Sequence, residues 1–168
     1  MKKWMCIITL IIIVSNLNAQ NTNIDNKYIK VTEGFLMVLN QGDNIYNEIE
    51  KMIVNENIPS ANFTGFGFVN ITFGFFNFKT KKYKPKTYNN MELTAMNGSI
   101  AWQNGKPSIH AHGTVTGKNF KAYGGHILSG TVSTGSVEIL VTVHDIKLER
   151  KLIKPLGANV LCISNCNQ

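Results

Sequence analysis

Three histidines in the middle of the chain could bind a metal ion. His110 and His112 are separated by one residue, and His126 follows a glycine pair at 124–125. Because alternate residues of a β-strand face the same side, His110 and His112 would project from one face of a sheet. Three imidazoles on one face can make an open zinc-type site, with a fourth position for water or a ligand. The alternative is three unrelated polar residues on a solvated face, and the spacing alone leaves both interpretations open.

The position of His126 depends on a predicted hairpin. A turn at Thr116-Gly117-Lys118-Asn119 would return the chain as an antiparallel strand. That return would place His126 beside the other two histidines. The paired glycines before it favour a close backbone approach or a bulge at this point.

A metal-dependent enzyme is a second function that these residues allow. Metal-bound water is a nucleophile near neutral pH, and such a site usually needs a general acid or base nearby. Glu92 is the carboxylate that we nominate for this role, although an exposed or structurally bonded strand residue is the simpler interpretation. The sequence has no nucleophile elbow, Walker loop or dinucleotide fingerprint. We therefore expect a binding protein rather than an enzyme.

One amphipathic helix is predicted in the first part of the domain. The apolar run 35–39 predicts a buried strand, and Asp43 after it is a candidate helix N-cap. Apolar residues at 45, 49, 52 and 53 follow at helical spacing. The helix should end near residues 55–57, because Pro59 marks its exit.

The rest of the domain is predicted to be β-structure. Glycines at 65, 67 and 74 interrupt an apolar run from Ala61 and favour bulges, and Asn104-Gly105 is a strong hairpin signal. Further strands are predicted at 88–100, 109–115, 123–128 and 136–145, with a hairpin tip at 77–85. One helix among six or seven strands indicates an α+β domain with a mostly antiparallel sheet. Strands that are apolar on both faces indicate that the domain oligomerises.

The N-terminus has the pattern of a secretory signal. Two lysines precede an apolar run from Trp4 to Val14, and a small-residue region ends at Ala19. We expect cleavage after Ala19, export to the periplasm or the medium, and no membrane span in the mature chain. Residues 1–19 are then the signal peptide, 20–32 a polar leader without clear structure, 33–146 the domain and 147–168 a C-terminal extension.

The net charge and the cysteines say less about partners and function than the histidines do. The formal charge is +7 and falls to +5 without the two lysines of the signal. A lysine cluster at 79–86 is expected to be a solvated hairpin tip rather than a nucleic-acid surface. Cys162 and Cys166 are expected to form a terminal disulfide, or to remain free thiols, rather than bind zinc.

The order of several short motifs resembles the plant-and-prokaryote-conserved (PPC) domain. These motifs are Leu39-Asn40-Gln41-Gly42-Asp43 before the helix, Gly65-Phe66-Gly67, Met91-Glu92-Leu93, Asn97-Gly98-Ser99-Ile100, His110-Ala111-His112 and Gly124-Gly125-His126. Each is weak alone, but their order and spacing are specific, and the resemblance extends from about Glu33 to Asp145.

The resemblance implies a homotrimer that assembles through its sheet. It also implies that His110, His112 and His126 match the metal-site histidines of bacterial members. Glu92 matches the glutamate of the plant Gly-Arg-Phe-Glu-Ile-Leu motif, which here reads Asn-Asn-Met-Glu-Leu-Thr without the arginine. The DNA-binding label of the family comes from AT-hooks, which need an Arg-Gly-Arg core. Arg150 is the only arginine here, so nucleic acid is an unexpected partner.

These observations combine into one functional prediction. We expect an exported, trimeric PPC-like binding module with a divalent metal, zinc by ligand chemistry, at His110, His112 and His126. A small anionic ligand would occupy the open position. The alternatives are a metal-dependent enzyme at that site and a DNA-binding protein.

Overall fold

A mostly antiparallel sheet is the framework of residues 26–163, the residues that this computed structural model describes. The described elements are β1 (Tyr28–Val31), β2 (Gly34–Asn40), α1 (Ile45–Asn55), β3 (Ser60–Asn77), β4 (Lys82–Gln103), β5 (Lys106–Thr116), β6 (Ala122–His144), β7 (Glu149–Ile153) and β8 (Ala158–Cys162). The prediction of an α+β domain with one main helix is confirmed. None of the described helical structure is long and apolar enough to cross a membrane.

Four long strands pair with one another in a closed arrangement, and two of them carry the three histidines. The sheet order is β1-β2-β6-β3-β4-β7-β8, and β5 pairs with both β4 and β6. Since β3 also pairs with both β4 and β6, these four strands form a closed ring of pairings. The first part of β6 lies beside β5, and its last part lies beside β2.

Helix α1 covers one face of this sheet. Its apolar residues Ile45, Ile49, Met52 and Ile53 are at most 2% exposed, as their spacing predicts. The N-cap is Asn44, whose side chain accepts a hydrogen bond from the amide of Asn47. The prediction of Asp43 as the cap is wrong by one residue, because its carboxylate is already bonded to Lys27 and to the amide of Asn40.

Several predicted strands proved longer than their sequence signals. The segments 123–128 and 136–144 belong to the single strand β6, which ends one residue before the predicted limit at 145, and 88–100 is part of β4. The lysine-rich turn is shorter than predicted, because pairing of Asn77 with Lys82 leaves only residues 78–81 in the tip. The predicted bulge in β3 is confirmed by a register shift between Gly65 and Gly67.

Both ends of the described chain carry added strands. Tyr28–Val31 pairs with β2, so the end of the predicted leader is structured. The C-terminal extension forms the hairpin β7–β8, which joins β4 through a parallel pairing of Trp102 with Glu149. Cys162 is disulfide-bonded. The predicted signal peptide 1–19, residues 20–25 and Cys166 lie outside the described residues.

Candidate metal centre

The three histidines lie together on the face of the sheet opposite the core. His110 and His112 are on β5, and His112 pairs directly with His126 on β6. The intervening Ala111 is 1% exposed and points into the core. We call the opposite side the histidine face. It carries the three imidazoles together with Asn62 of β3 and Asn97 and Ser99 of β4, which are in register with them.

The distances between the imidazoles fit one metal ion. One nitrogen of each ring lies within 4.8 Å of the nitrogens of the other two. The Nε2 atoms of His110 and His112 are 3.2 Å apart. Two nitrogens bound to one tetrahedral zinc ion, each at about 2.0–2.1 Å, lie about 3.3 Å apart. The separation between His110 and His112 matches this value, and the three rings form a group that could hold one metal ion.

Partial burial of His110 and His126 favours the form of imidazole that binds metals. Burial, with a smaller contribution from the neighbouring histidines, lowers the pKa of His126 to about 4. Burial also lowers the pKa of His110, with smaller contributions from Arg150 and His112. A neutral imidazole is the metal-ligating form, so these two rings are ready to coordinate at neutral pH.

Neighbouring aromatic and glycine residues position His126. The ring of Tyr83 stacks on His126 with centroids 4.7 Å apart. Tyr46 of α1 donates a hydrogen bond of 2.9 Å to the carbonyl of Ile127, which ties the helix to β6 beside the site. A Cβ atom at Gly124 would lie 2.6 Å from the carbonyl oxygen of Gly113. The predicted close backbone approach at this glycine is therefore confirmed.

A shallow pocket of about 420 Å³ opens beside the histidines. It is lined by Asn62, Phe63, Asn97, Gly98, Ser99, His110 and His112. Amide and hydroxyl groups thus share the pocket with two of the imidazoles, and they can hydrogen-bond to a small polar ligand.

Arg150 is a component of this region that sequence reasoning missed. It is 4% exposed and donates to the Ser99 hydroxyl at 2.7 Å and to the carbonyl of Ser108. Ser99 pairs with His110 across β4 and β5. The only sequence signal for a special role was that Arg150 is the single arginine of the chain. Nothing in the sequence connected the C-terminal extension to the histidines.

Glu92 is not brought to the histidines. It is exposed on β4, where it pairs with Phe68 and Thr116. It lines a separate pocket of about 550 Å³ together with Glu138. Glu92 is therefore not positioned to act as a general base at the three histidines.

The lysine-rich hairpin is partly engaged within the molecule. Lys81 donates to the carbonyls of Pro155 and Leu156 in the turn between β7 and β8. The ammonium group of Lys86 lies over the rings of Tyr88 and Tyr123, at 5.3 and 5.9 Å from their centroids. These two lysines have structural contacts that a purely solvated tip would lack.

A family comparison covers most of this fold. The family model described as Plants and Prokaryotes Conserved (PCC) domain matches residues 27–145. That range includes the helix, strands β1 to β6 and all three histidines, and it ends before the hairpin that carries Arg150. No curated protein matches the chain significantly.

Several solved structures are similar to this fold, and one of them carries the name of the family. A "Putative DNA-binding protein" from Ralstonia eutropha is 51% identical, with a TM-score of 0.81 over 84% of this chain and 99% of its own. A plant- and prokaryote-conserved (PPC) protein from Pyrococcus horikoshii is 28% identical, with a TM-score of 0.68 over 74% and 87%. A "Metal-containing Protein" from Archaeoglobus fulgidus is 26% identical, with a TM-score of 0.71 over 79% and 95%.

Proposed function

The chain belongs to the Plants and Prokaryotes Conserved (PCC) domain family, and from this premise we propose that it is a metal-binding module in which His110, His112 and His126 hold one divalent ion. The observation that carries this proposal is the convergence of three imidazole nitrogens within 4.8 Å of one another. The name of the metal-containing relative from Archaeoglobus fulgidus supports it.

Zinc is the ion that we propose for this site. Neutral imidazoles are borderline ligands that suit zinc, and three of them leave a fourth position in a tetrahedral arrangement. A zinc ion would act there as a Lewis acid toward a small anionic ligand. The protein's own contribution is to orient the three rings through the β5–β6 pairing and the Tyr83 stack, and to supply polar groups in the adjacent pocket.

The oligomeric state and the location are parts of the same proposal. Large apolar side chains remain exposed on the long strands, among them Phe66 of β3 at 55% and Leu140 of β6 at 45%. Copies of the chain would cover this surface in a homotrimer. We propose that the trimer acts after export, and light scattering together with N-terminal sequencing of the exported protein would check both points. A mature chain beginning at Gln20 is the expected product.

Elemental analysis of the purified protein tests the metal site. We expect about one zinc per chain in the wild type and almost none in the double variant His110→Ala/His112→Ala, because one ligand is insufficient to hold the ion. His144→Ala is the matched control, since His144 lies at the far end of β6, paired with Ser60. Equal metal content in the double variant, or none in the wild type, would contradict the proposal.

DNA binding is a second candidate, motivated by the name of the Ralstonia eutropha relative. The lysines at 79, 82 and 84 are exposed near the hairpin tip and would contact phosphates. Duplex affinity that falls steeply with salt and weakens when these three lysines are replaced by glutamine would support this function. Unchanged affinity in that triple variant would remove it. We rank it second because the engaged Lys81 and Lys86 leave a small cationic surface.

A further inference from the structure

The C-terminal hairpin places a buried cation at the edge of the histidine pocket. Arg150 of β7 donates to the hydroxyl and carbonyl oxygens of Ser99 and to the carbonyl of Ser108. Ser99 pairs with His110, and Ser108 precedes His110 by two residues on the same face. The guanidinium group therefore lies on the histidine face, immediately behind the wall of the pocket.

The positive charge of Arg150 has no anionic partner among residues 26–163. Its hydrogen-bond acceptors are neutral oxygens, no ion pair includes it, and its Nε atom has no partner. Burial lowers the pKa of Arg150, as expected for a desolvated cation. Burying an unpaired charge is costly, and a nearby anion reduces that cost. The arrangement favours a negative charge in the adjacent pocket.

Ser99 links this charge to the pocket. Its hydroxyl accepts a hydrogen bond from Arg150, so the hydroxyl proton is left to donate to a different acceptor. Ser99 lines the pocket together with the amides of Asn62 and Asn97. Neutral donors backed by a buried cation are the groups that bind an oxyanion, because charge-assisted hydrogen bonds are stronger than neutral ones.

We propose that the pocket binds a small oxyanion, a carboxylate or a phosphate, between the metal ion and the Ser99 hydroxyl, and that Arg150 determines its preference for negative charge. This proposal rests on the metal site described above and names its ligand class. Arg150 lies outside the family match, which ends at residue 145. The selectivity is therefore a contribution of the C-terminal hairpin to the PCC domain.

Cobalt(II)-loaded mature protein tests this proposal through a signal other than activity. The visible absorption of tetrahedral cobalt changes when an anion coordinates, and it would be titrated with acetate and, separately, with inorganic phosphate. We expect saturable binding of at least one anion to the wild type. Affinity should fall about tenfold or more in Arg150→Gln and in Ser99→Ala, the effect of losing a charge-assisted hydrogen bond.

A neighbouring lysine provides the charge-matched control. Lys151→Gln removes one positive charge from the same hairpin at an exposed position, and it should change anion affinity less than twofold. Ser99→Ala retains the bonds of Arg150 to the Ser99 and Ser108 carbonyls. It therefore decides the question even if Arg150→Gln does not fold.

The outcomes separate the two proposals. Absence of the cobalt absorption in the wild type would overturn the metal site itself. A loaded site that responds to neither anion, or equal anion affinity in the wild type, Arg150→Gln and Ser99→Ala, would overturn only the oxyanion site. In the latter case Arg150 would serve to fasten the hairpin, and its replacement would lower the melting temperature alone.

Discussion

The two faces of the sheet have different tasks, and the difference is visible along one strand. On β5, Ala111 is 1% exposed in the core, while His110 and His112 on either side of it reach the opposite face. The core face consists of buried apolar residues that pack with α1, and it gives the domain its stability. The histidine face carries polar groups and the candidate metal centre. Substitutions on the two faces should therefore change different measured quantities.

The largest effect is expected on the core face. Ile139 on β6 is fully buried, and its replacement by alanine should lower the free energy of unfolding by about 3 kcal/mol, because methylene groups are lost and a cavity is left. Urea denaturation of the metal-free protein would measure this cost. The folded variant should still bind one zinc ion per chain. A variant that keeps its stability but loses the metal would contradict the claim that the core face determines stability and the histidine face determines metal binding.

Replacing Gly124, which lies on β6 beside the histidines, should lower both the stability of the fold and the zinc affinity. Gly124→Ala places a methyl group 2.6 Å from the carbonyl oxygen of Gly113, which would push β6 away from β5 at the histidines. We expect a loss of about 2 kcal/mol in unfolding free energy from overpacking, together with weaker zinc binding in a competition titration.

Gly117→Ala is the matched control for this prediction. A Cβ atom there would have its nearest neighbour at 3.4 Å, the end of the Met91 side chain. This variant should retain both stability and zinc affinity. Equal behaviour of the two alanine variants would show that the backbone approach at Gly124 does not position His126.

The smallest effect is expected at Asp43, which precedes the N-cap of α1. Burial raises the pKa of Asp43, but hydrogen bonds from Lys27 and from the amide of Asn40 outweigh it and hold the pKa below its ordinary value. A lowered carboxyl pKa stabilises the fold above the unfolded pKa of about 4, and this contribution is lost as the pH falls further. Asp43→Asn should cost about 1 kcal/mol or less at pH 7.

The pH dependence checks the cause of that effect. The difference in unfolding free energy between wild type and Asp43→Asn should shrink as the pH falls from about 5 to 3. Zinc content at neutral pH should be the same in both proteins. A difference that stays constant down to pH 3 would rule out the ionised carboxylate as its source.

The sequence predicted those features that arise from local periodicity. Alternation along a strand correctly placed His110 and His112 on one face, and helical spacing correctly identified the buried residues of α1. The Asn104-Gly105 turn also formed as predicted, with positive φ at both residues (51° and 75°). In each case the signal and the structure involve residues close together in the chain.

Features that depend on distant partners were less accessible. Strand β6 is continuous because it pairs with β3 along most of its length, with β5 at its start and with β2 in its last part, and no local signal shows this. The same reason hid Arg150, whose partners Ser99 and Ser108 are 51 and 42 residues away. The separation of Glu92 from the histidines likewise follows from the register of β4 against β5.

X-ray absorption at the zinc edge of the zinc-loaded mature protein tests the central claim most directly. The account predicts a first shell that includes three imidazole nitrogens at about 2.0–2.1 Å. It also predicts the loss of one imidazole contribution, or of the metal itself, in His126→Ala. A shell containing sulfur, or a spectrum unchanged by that substitution, would show that zinc is bound elsewhere and that the three histidines are not its ligands.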